Sequence, residues 1–202
     1  MAKKKLDLVN PSVSLFLICL LTALLLAVIS AVTEPIIQAQ NAAREQAARQ
    51  EVLPAATEFE ELEAGQSSDS SVELLSVYRG LQNQKAVGHV LSLRTRGYGG
   101  AVDIICATDS EARITGLRIL SANETPGLGA KISDSKFYSQ YEGKGGEKEL
   151  KVYRAADQGR DQDPNAIDAI ASATISTRAV TRAAQEAVAQ SLRLLQAEKG
   201  GQ

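Results

Sequence analysis

The sequence predicts an α+β fold: a small, mostly antiparallel sheet with packed helices, preceded by one N-terminal transmembrane helix. Three observations carry this expectation. An uncharged apolar run of twenty residues lies near the N-terminus. Short segments rich in Val, Ile and Leu, separated by turn residues, fill the middle of the chain. A three- and four-residue spacing of Val, Ala and Leu marks the C-terminus as helical.

The 202-residue length suits one ordinary domain plus whatever the N-terminus adds. Hydrophobic residues make up 44% but aromatics only 4%, with no Trp, so the core must rest on Leu, Ile, Val and Ala. The net charge of −2, with no basic patch interleaved with aromatics, argues against nucleic-acid binding. Cys19 sits inside the apolar run, Cys106 lies far from it, and His89 is the single histidine. These residues cannot supply a protein zinc or iron–sulfur site, so no metal ligands are assigned and redox chemistry would need an organic cofactor.

Taken in order, Val13 to Val32 carries no charge and at 1.5 Å per residue spans roughly 30 Å, the thickness of a bilayer core. It is longer than the roughly 7–15 residues of a signal-peptide core, and no Ala-x-Ala follows, so it reads as an uncleaved anchor. Lys3, Lys4 and Lys5 precede it and Glu34 and Pro35 follow, which places the N-terminus in the cytoplasm. Ile36 to Val52 reads as a helical continuation that Pro54 ends, and Ala64 to Ser71 as a polar loop.

Strand signals follow at Glu73 to Tyr78, Ala86 to Arg94, Ala101 to Thr108 and Ala112 to Leu120. The last two are joined by Asp109-Ser110-Glu111 as a hairpin, with Gly116 marking a bulge. Phe137 to Tyr141 reads as a short helix, Glu149 to Tyr153 as a strand, and about Ser176 to Gln196 as the final helix. The expected organisation is a cytoplasmic N-terminus (1–12), a transmembrane helix (13–32), a stalk helix and loop (33–71), an extracytoplasmic domain (72–198) and a disordered tail (199–202). The expected roles of His89 and Cys106 are structural, as packing residues within strands.

Two stretches point to chemistry. Glu124-Thr125-Pro126-Gly127-Leu128-Gly129 follows the hairpin, and its glycines let backbone approach a ligand closely; on spacing alone it is also an ordinary Pro-Gly turn. Asp168-Ala169-Ile170-Ala171-Ser172-Ala173-Thr174 leads into the final helix, whose free N–H groups and positive dipole end suit a phosphate. Taken alone it is a helix start with Ser172, Thr174 and Ser176 as capping residues.

Together, and in this order, the two stretches resemble the G subunit of the Rnf ion-translocating electron-transport complex. That subunit is a member of the FMN-binding domain family, related to the C subunit of the sodium-translocating NADH:quinone reductase. The Lys-rich start, the single anchor, Tyr98-Gly99-Gly100 and the C-terminal helix share the resemblance. It implies that residues 72–198 bind FMN, with Thr174 esterified by the FMN phosphate. It further implies that Ser172, Ala173, Glu124, Thr125, Gly127, Leu128, Gly129 and Lys131 lie at the cofactor, and that Asp168 and Ser172 are read by a flavin transferase. The implied role is an electron-transfer subunit of a cell-membrane complex coupling ferredoxin:NAD electron transfer to Na+ or H+ translocation. It would be a redox carrier within a translocase, with no catalytic residue of its own. Its implied partners are the other subunits, the transferase during maturation, and membrane lipid. The C subunit of the quinone reductase and a non-redox membrane-anchored binding module are the alternatives.

Overall fold

The computed structural model describes residues 11–200. The predicted Lys3–Lys5 start and the last two residues of the predicted tail lie outside them. The chain divides into two compact units, Met1–Arg44 and Glu45–Gln202.

Helix α1 (Pro11–Val52) begins in the first unit and ends in the second. The anchor and the stalk helix expected from the sequence are thus one element, which continues through Pro35. Its large apolar side chains from Val13 to Val32 are exposed, and the helix is long and apolar enough to cross a membrane. Thr22, in the middle of that stretch, donates its hydroxyl back to Ile18 O at 3.0 Å, so it needs no partner outside the helix. The helix stops at Val52, two residues before Pro54, where the proline excludes the helical conformation for its predecessor.

In the second unit, five strands form an antiparallel sheet in chain order: β1 (Glu58–Leu62), β2 (Val72–Gln82), β3 (Lys85–Arg96), β4 (Ala101–Asp109) and β5 (Ile114–Ala122). The β2–β3 hairpin closes with Asn83 and Gln84, both at positive φ, as a two-residue hairpin loop requires. The β4–β5 connection is the hairpin that the sequence predicts, with Asp109 Oδ1 accepting the N–H groups of Glu111 (2.8 Å) and Arg113 (2.9 Å). The predicted bulge lies beside Gly116: Thr115 is the extra residue between the pairs Thr108–Ile114 and Ala107–Gly116. Thr115 Oγ1 then donates to Val52 O at 2.8 Å, and a Cβ on Gly116 would come within 2.9 Å of Val52 Cα. The bulge and the missing side chain together let the end of α1 lie against the sheet.

Both faces of the sheet are therefore covered. On one, Leu91, Leu93, Val102, Ile104 and Cys106 pack with Val180, Ala184 and Val188 of helix α3 (Thr174–Gly200). On the other, Val90, Ile105 and Ala107 pack with Ala48, Val52 and Leu53. Burial on both faces leaves the centres of β3 and β4, Gly88 to Leu93 and Ile104 to Thr108, buried at every position, where the sequence of Ala86 to Arg94 suggested alternation. Cys106 lies in the first core, where burial pushes its thiol up to about 12.

Two strands come from segments that carry no strand signal. β1 is mostly glutamate, and β7 (Ala166–Asp168) is three residues long, paired in parallel with β6 (Lys151–Tyr153). The short helix predicted near Phe137 is present as α2 (Ser135–Tyr138), continued by a 3-10 turn to Tyr141. The final helix starts earlier than the periodicity indicates, at Thr174, and runs to Gly200.

Candidate functional site

Two segments converge on one cleft of about 450 Å³, within the usual size range of ligand pockets. The first leaves β5 at Ala122 and carries Glu124, Thr125, Leu128 and Gly129; the second is the Ser172-Ala173-Thr174-Ile175-Ser176 stretch at the start of α3; Tyr98 completes the lining.

The second segment is fixed by hydroxyls. Thr177 Oγ1 accepts the Ile170 N–H at 3.1 Å and donates to Ala173 O at 3.1 Å, clamping the turn ahead of the helix. Thr181 Oγ1 donates to Thr177 O at 2.9 Å and shares a 2.8 Å hydrogen bond with the buried Tyr141 hydroxyl. Burial raises that phenol well above its ordinary value, against the opposing hydrogen bond to Thr181. Within this clamped turn Ser172 takes a positive φ of 66°, and Thr174, the first helical residue, is partly exposed on the cleft. The backbone N–H groups of the first helical turn have no acceptor within the helix and form its positive end.

The first segment is fixed by close packing around Glu124. Its Oε1 accepts the Tyr98 N–H at 2.9 Å. A Cβ at Gly97 would stand 2.0 Å from Oε1, and one at Gly129 would stand 2.2 Å from Oε2, so both glycines are needed to seat the carboxylate. Glu124 Oε2 is buried and makes no hydrogen bond among the described residues, and neither does the Oγ of Ser176, a residue only 1% exposed. Buried polar atoms without partners are costly, so two of them on one cleft indicate that a ligand's polar groups belong there. The walls are apolar: Tyr98 is 72% exposed, Ile175 55% and Leu128 44%. A flat ring with polar edges and a phosphate tail fits this combination, and FMN has both.

Of the residues singled out in the sequence, the cleft brings together Glu124, Thr125, Leu128, Gly129, Ser172, Ala173 and Thr174. Gly127, at φ 76°, shapes the loop but is not among the lining residues. Lys131 and Asp168 line a neighbouring cleft of about 300 Å³ with Lys136, Gln140 and Ile170. Asp168 ends β7, its carboxylate paired with Arg160 and its N–H donated to Gln140 Oε1 at 2.7 Å. Buried Asn165 holds that strand in place by donating to Lys148 O at 2.7 Å and accepting the Gly145 N–H at 3.2 Å. Nearby, burial lowers the Lys144 ammonium, opposed by Asp168 and Asp163, and its Nζ donates to Ala166 O. Tyr98, Ile175 and Ser176 are lining residues to which the sequence assigns no role at a cofactor. Tyr98 is named in the sequence only as part of Tyr98-Gly99-Gly100, and Ser176 only as a capping residue of the final helix.

The family model of the FMN-binding domain matches residues 97–189, which hold every residue lining the cleft. The chain is 36% identical over 176 residues to the G subunit of the Na(+)-translocating ferredoxin:NAD(+) oxidoreductase complex of Acetobacterium woodii, covering 83% of each chain. It is 30% identical over 178 residues to the G subunit of the ion-translocating oxidoreductase complex of Methanosarcina acetivorans, covering 87% of this chain and 90% of that one. Among solved structures, NqrC of Shewanella oneidensis superimposes with a TM-score of 0.51 at 22% identity, covering 60% of this chain and 61% of that one, a likeness of fold. Residues 97–189 thus match the FMN-binding domain. The chain belongs to the G-subunit family of ion-translocating oxidoreductase complexes.

Proposed function

We propose that this chain is an electron-transfer subunit, carrying FMN, of a membrane complex that couples ferredoxin:NAD electron transfer to movement of Na+ or H+. We propose further that the FMN is covalent, held by a phosphoester to Thr174. Membership of the G-subunit family supports the first statement. The second is carried by one observation: Thr174 opens the long helix α3 on the same cleft as the unpartnered Glu124 Oε2 and Ser176 Oγ.

The roles of the residues follow from their chemistry. The start of α3 offers N–H groups and a positive dipole end to a phosphate, and Ser172 and Ala173 leave its approach open. Tyr98, Leu128 and Ile175 supply apolar surface for a ring, while Glu124 offers an acceptor at its edge. Bound FMN supplies reversible uptake of one or two electrons, which lets the subunit link carriers of either kind. A threonine hydroxyl is a weak nucleophile unaided, so attachment requires a separate flavin transferase, which would read Asp168 and Ser172. Lys131 and Gly127 would act from the rim of the site.

We place the chain in the cell membrane as a single-pass protein, N-terminus in the cytoplasm and residues 72–198 outside. The exposed apolar helix α1 supports the anchor, and the Lys3–Lys5 start supports the direction.

The test is in-gel flavin fluorescence of the denatured protein after production with the transferase. The expected outcome is a fluorescent band that disappears in Thr174→Val; a dark wild-type band, or a bright variant, sinks the covalent reading. The C subunit of the quinone reductase shares the fold, and the cofactor content of the purified complex separates the two. A non-redox binding module predicts colourless protein.

A further inference from the structure

Glu124 carries more than a contact. Its carboxylate accepts the Tyr98 N–H and lies directly over Gly97 and Gly129, where an added Cβ would stand 2.0 Å and 2.2 Å from its two oxygens and push it aside. Only one oxygen is used by the protein. The other, Oε2, is buried on the cleft with nothing to accept from. One oxygen of this carboxylate is engaged by the protein and the other is left as an unused acceptor. Oxidised isoalloxazine carries a single N–H, that of its imide, and the rest of its polar edge consists of acceptors, which a carboxylate repels.

We propose that Glu124 sets the reduction potential of the bound flavin, with Oε2 accepting the imide N–H and holding a negative charge beside the ring. This rests on the reading of the cleft as the FMN site. A fixed negative charge next to a group that gains electrons disfavours their uptake, and the effect is larger in a site partly shielded from water. Glu124 thereby poises the flavin low, as a donor, and does so without taking part in its attachment, which is the business of Thr174 at the other end of the cofactor. Gly97 and Gly129 are positioning residues for the same effect, because either side chain would displace the carboxylate.

The experiment is a reductive titration of the full-length, flavin-loaded protein in detergent, with dithionite as the electron source and reference dyes, on wild type, Glu124→Gln, Glu124→Asp and Gly129→Ala. In-gel fluorescence of each sample reports attachment separately. Expected is a rise in potential for Glu124→Gln of at least tenfold in the one-electron equilibrium, which is 59 mV. Glu124→Asp, which keeps the charge, should stay closer to wild type. Gly129→Ala, which moves the carboxylate without removing it, should shift in the same direction as Glu124→Gln, and it provides the result if Glu124→Gln does not fold. Fluorescent Glu124→Gln or Gly129→Ala protein with an unchanged potential overturns the proposal. Wild-type protein that neither fluoresces in the gel nor releases flavin on denaturation instead overturns the FMN reading beneath it.

Discussion

Ser172 occupies a left-handed backbone position, φ 66°, that costs a residue with a Cβ about 1–2 kcal/mol. The turn tolerates it because Thr177 clamps Ile170 and Ala173 on either side. Ser172→Gly removes the steric cost but adds about 0.5–1 kcal/mol of unfolded-chain entropy, so a net gain of about 0.5 kcal/mol is expected. Ser172→Val, with a branched Cβ in the same conformation, should lose about 1–2 kcal/mol. Urea unfolding of the unmodified protein checks both, and a stabilised Val variant would contradict the assigned backbone strain. At this scale the sequence was informative about the threonine and the glycines, because motif spacing names them. It offered Ser176 only as a helix cap, since an unpartnered hydroxyl is a property of the packing around it and not of the local sequence.

At the scale of elements, α3 is the piece on which both core and site depend. Its buried face is built from Val180, Ala183, Ala184, Ala187 and Val188, all fully buried, so the helix lies close to the sheet. Small side chains there set the distance, and Ala184→Leu should cost about 1–3 kcal/mol by overpacking, seen as a lower urea midpoint with an unchanged slope. Periodicity in the sequence located this helix, and the Val, Leu and Ile content of Ala86 to Arg94 and Ala101 to Thr108 located the central strands, because their middles are buried on both faces. The edges were harder. β1 is mostly glutamate, and its strand state comes from pairing with β2, not from its composition. β7 exists because Asn165 and the β6 ladder hold three residues extended. Those are tertiary causes, absent from any local window of sequence.

At the scale of the whole molecule, His89 links the far end of α3 to the sheet. It is fully buried on β3, neither ring nitrogen makes a hydrogen bond among the described residues, and Nε2 lies 3.5 Å from Glu198 Oε1 on α3, with Arg79 of β2 bound to the same carboxylate and Glu60 of β1 bound to Arg79. Burial lowers its proton affinity below the ordinary 6.5, and Glu198 only partly offsets that. The folded state therefore holds the ring neutral while the unfolded chain takes up a proton below about 6.5. The resulting stability is fully present above that pH and falls away as the pH drops through it toward the folded value. His89→Leu should flatten the loss of urea stability between pH 7 and 5, and an equal loss in both proteins would remove His89 as its source.

The two margins of the sheet are closed by different means. Along β5, the segment around Gly143 to Gly146 pairs with the backbone: Ile114 N–H donates to Lys144 O and Gly143 N–H to Ile114 O, each at 2.8 Å. Along β1, exposed Glu58, Glu60 and Glu61 take that place. Like charges repel when two such strands approach, so the open margin cannot template a copy of itself. A protein that waits for its partners after synthesis gains time from this, since self-polymerisation is the competing fate of any unpaired strand. Glu58→Gln with Glu61→Gln, leaving the Arg79-bound Glu60 in place, should give growing light scattering on storage at neutral pH while the wild type stays clear, with both folds intact by circular dichroism.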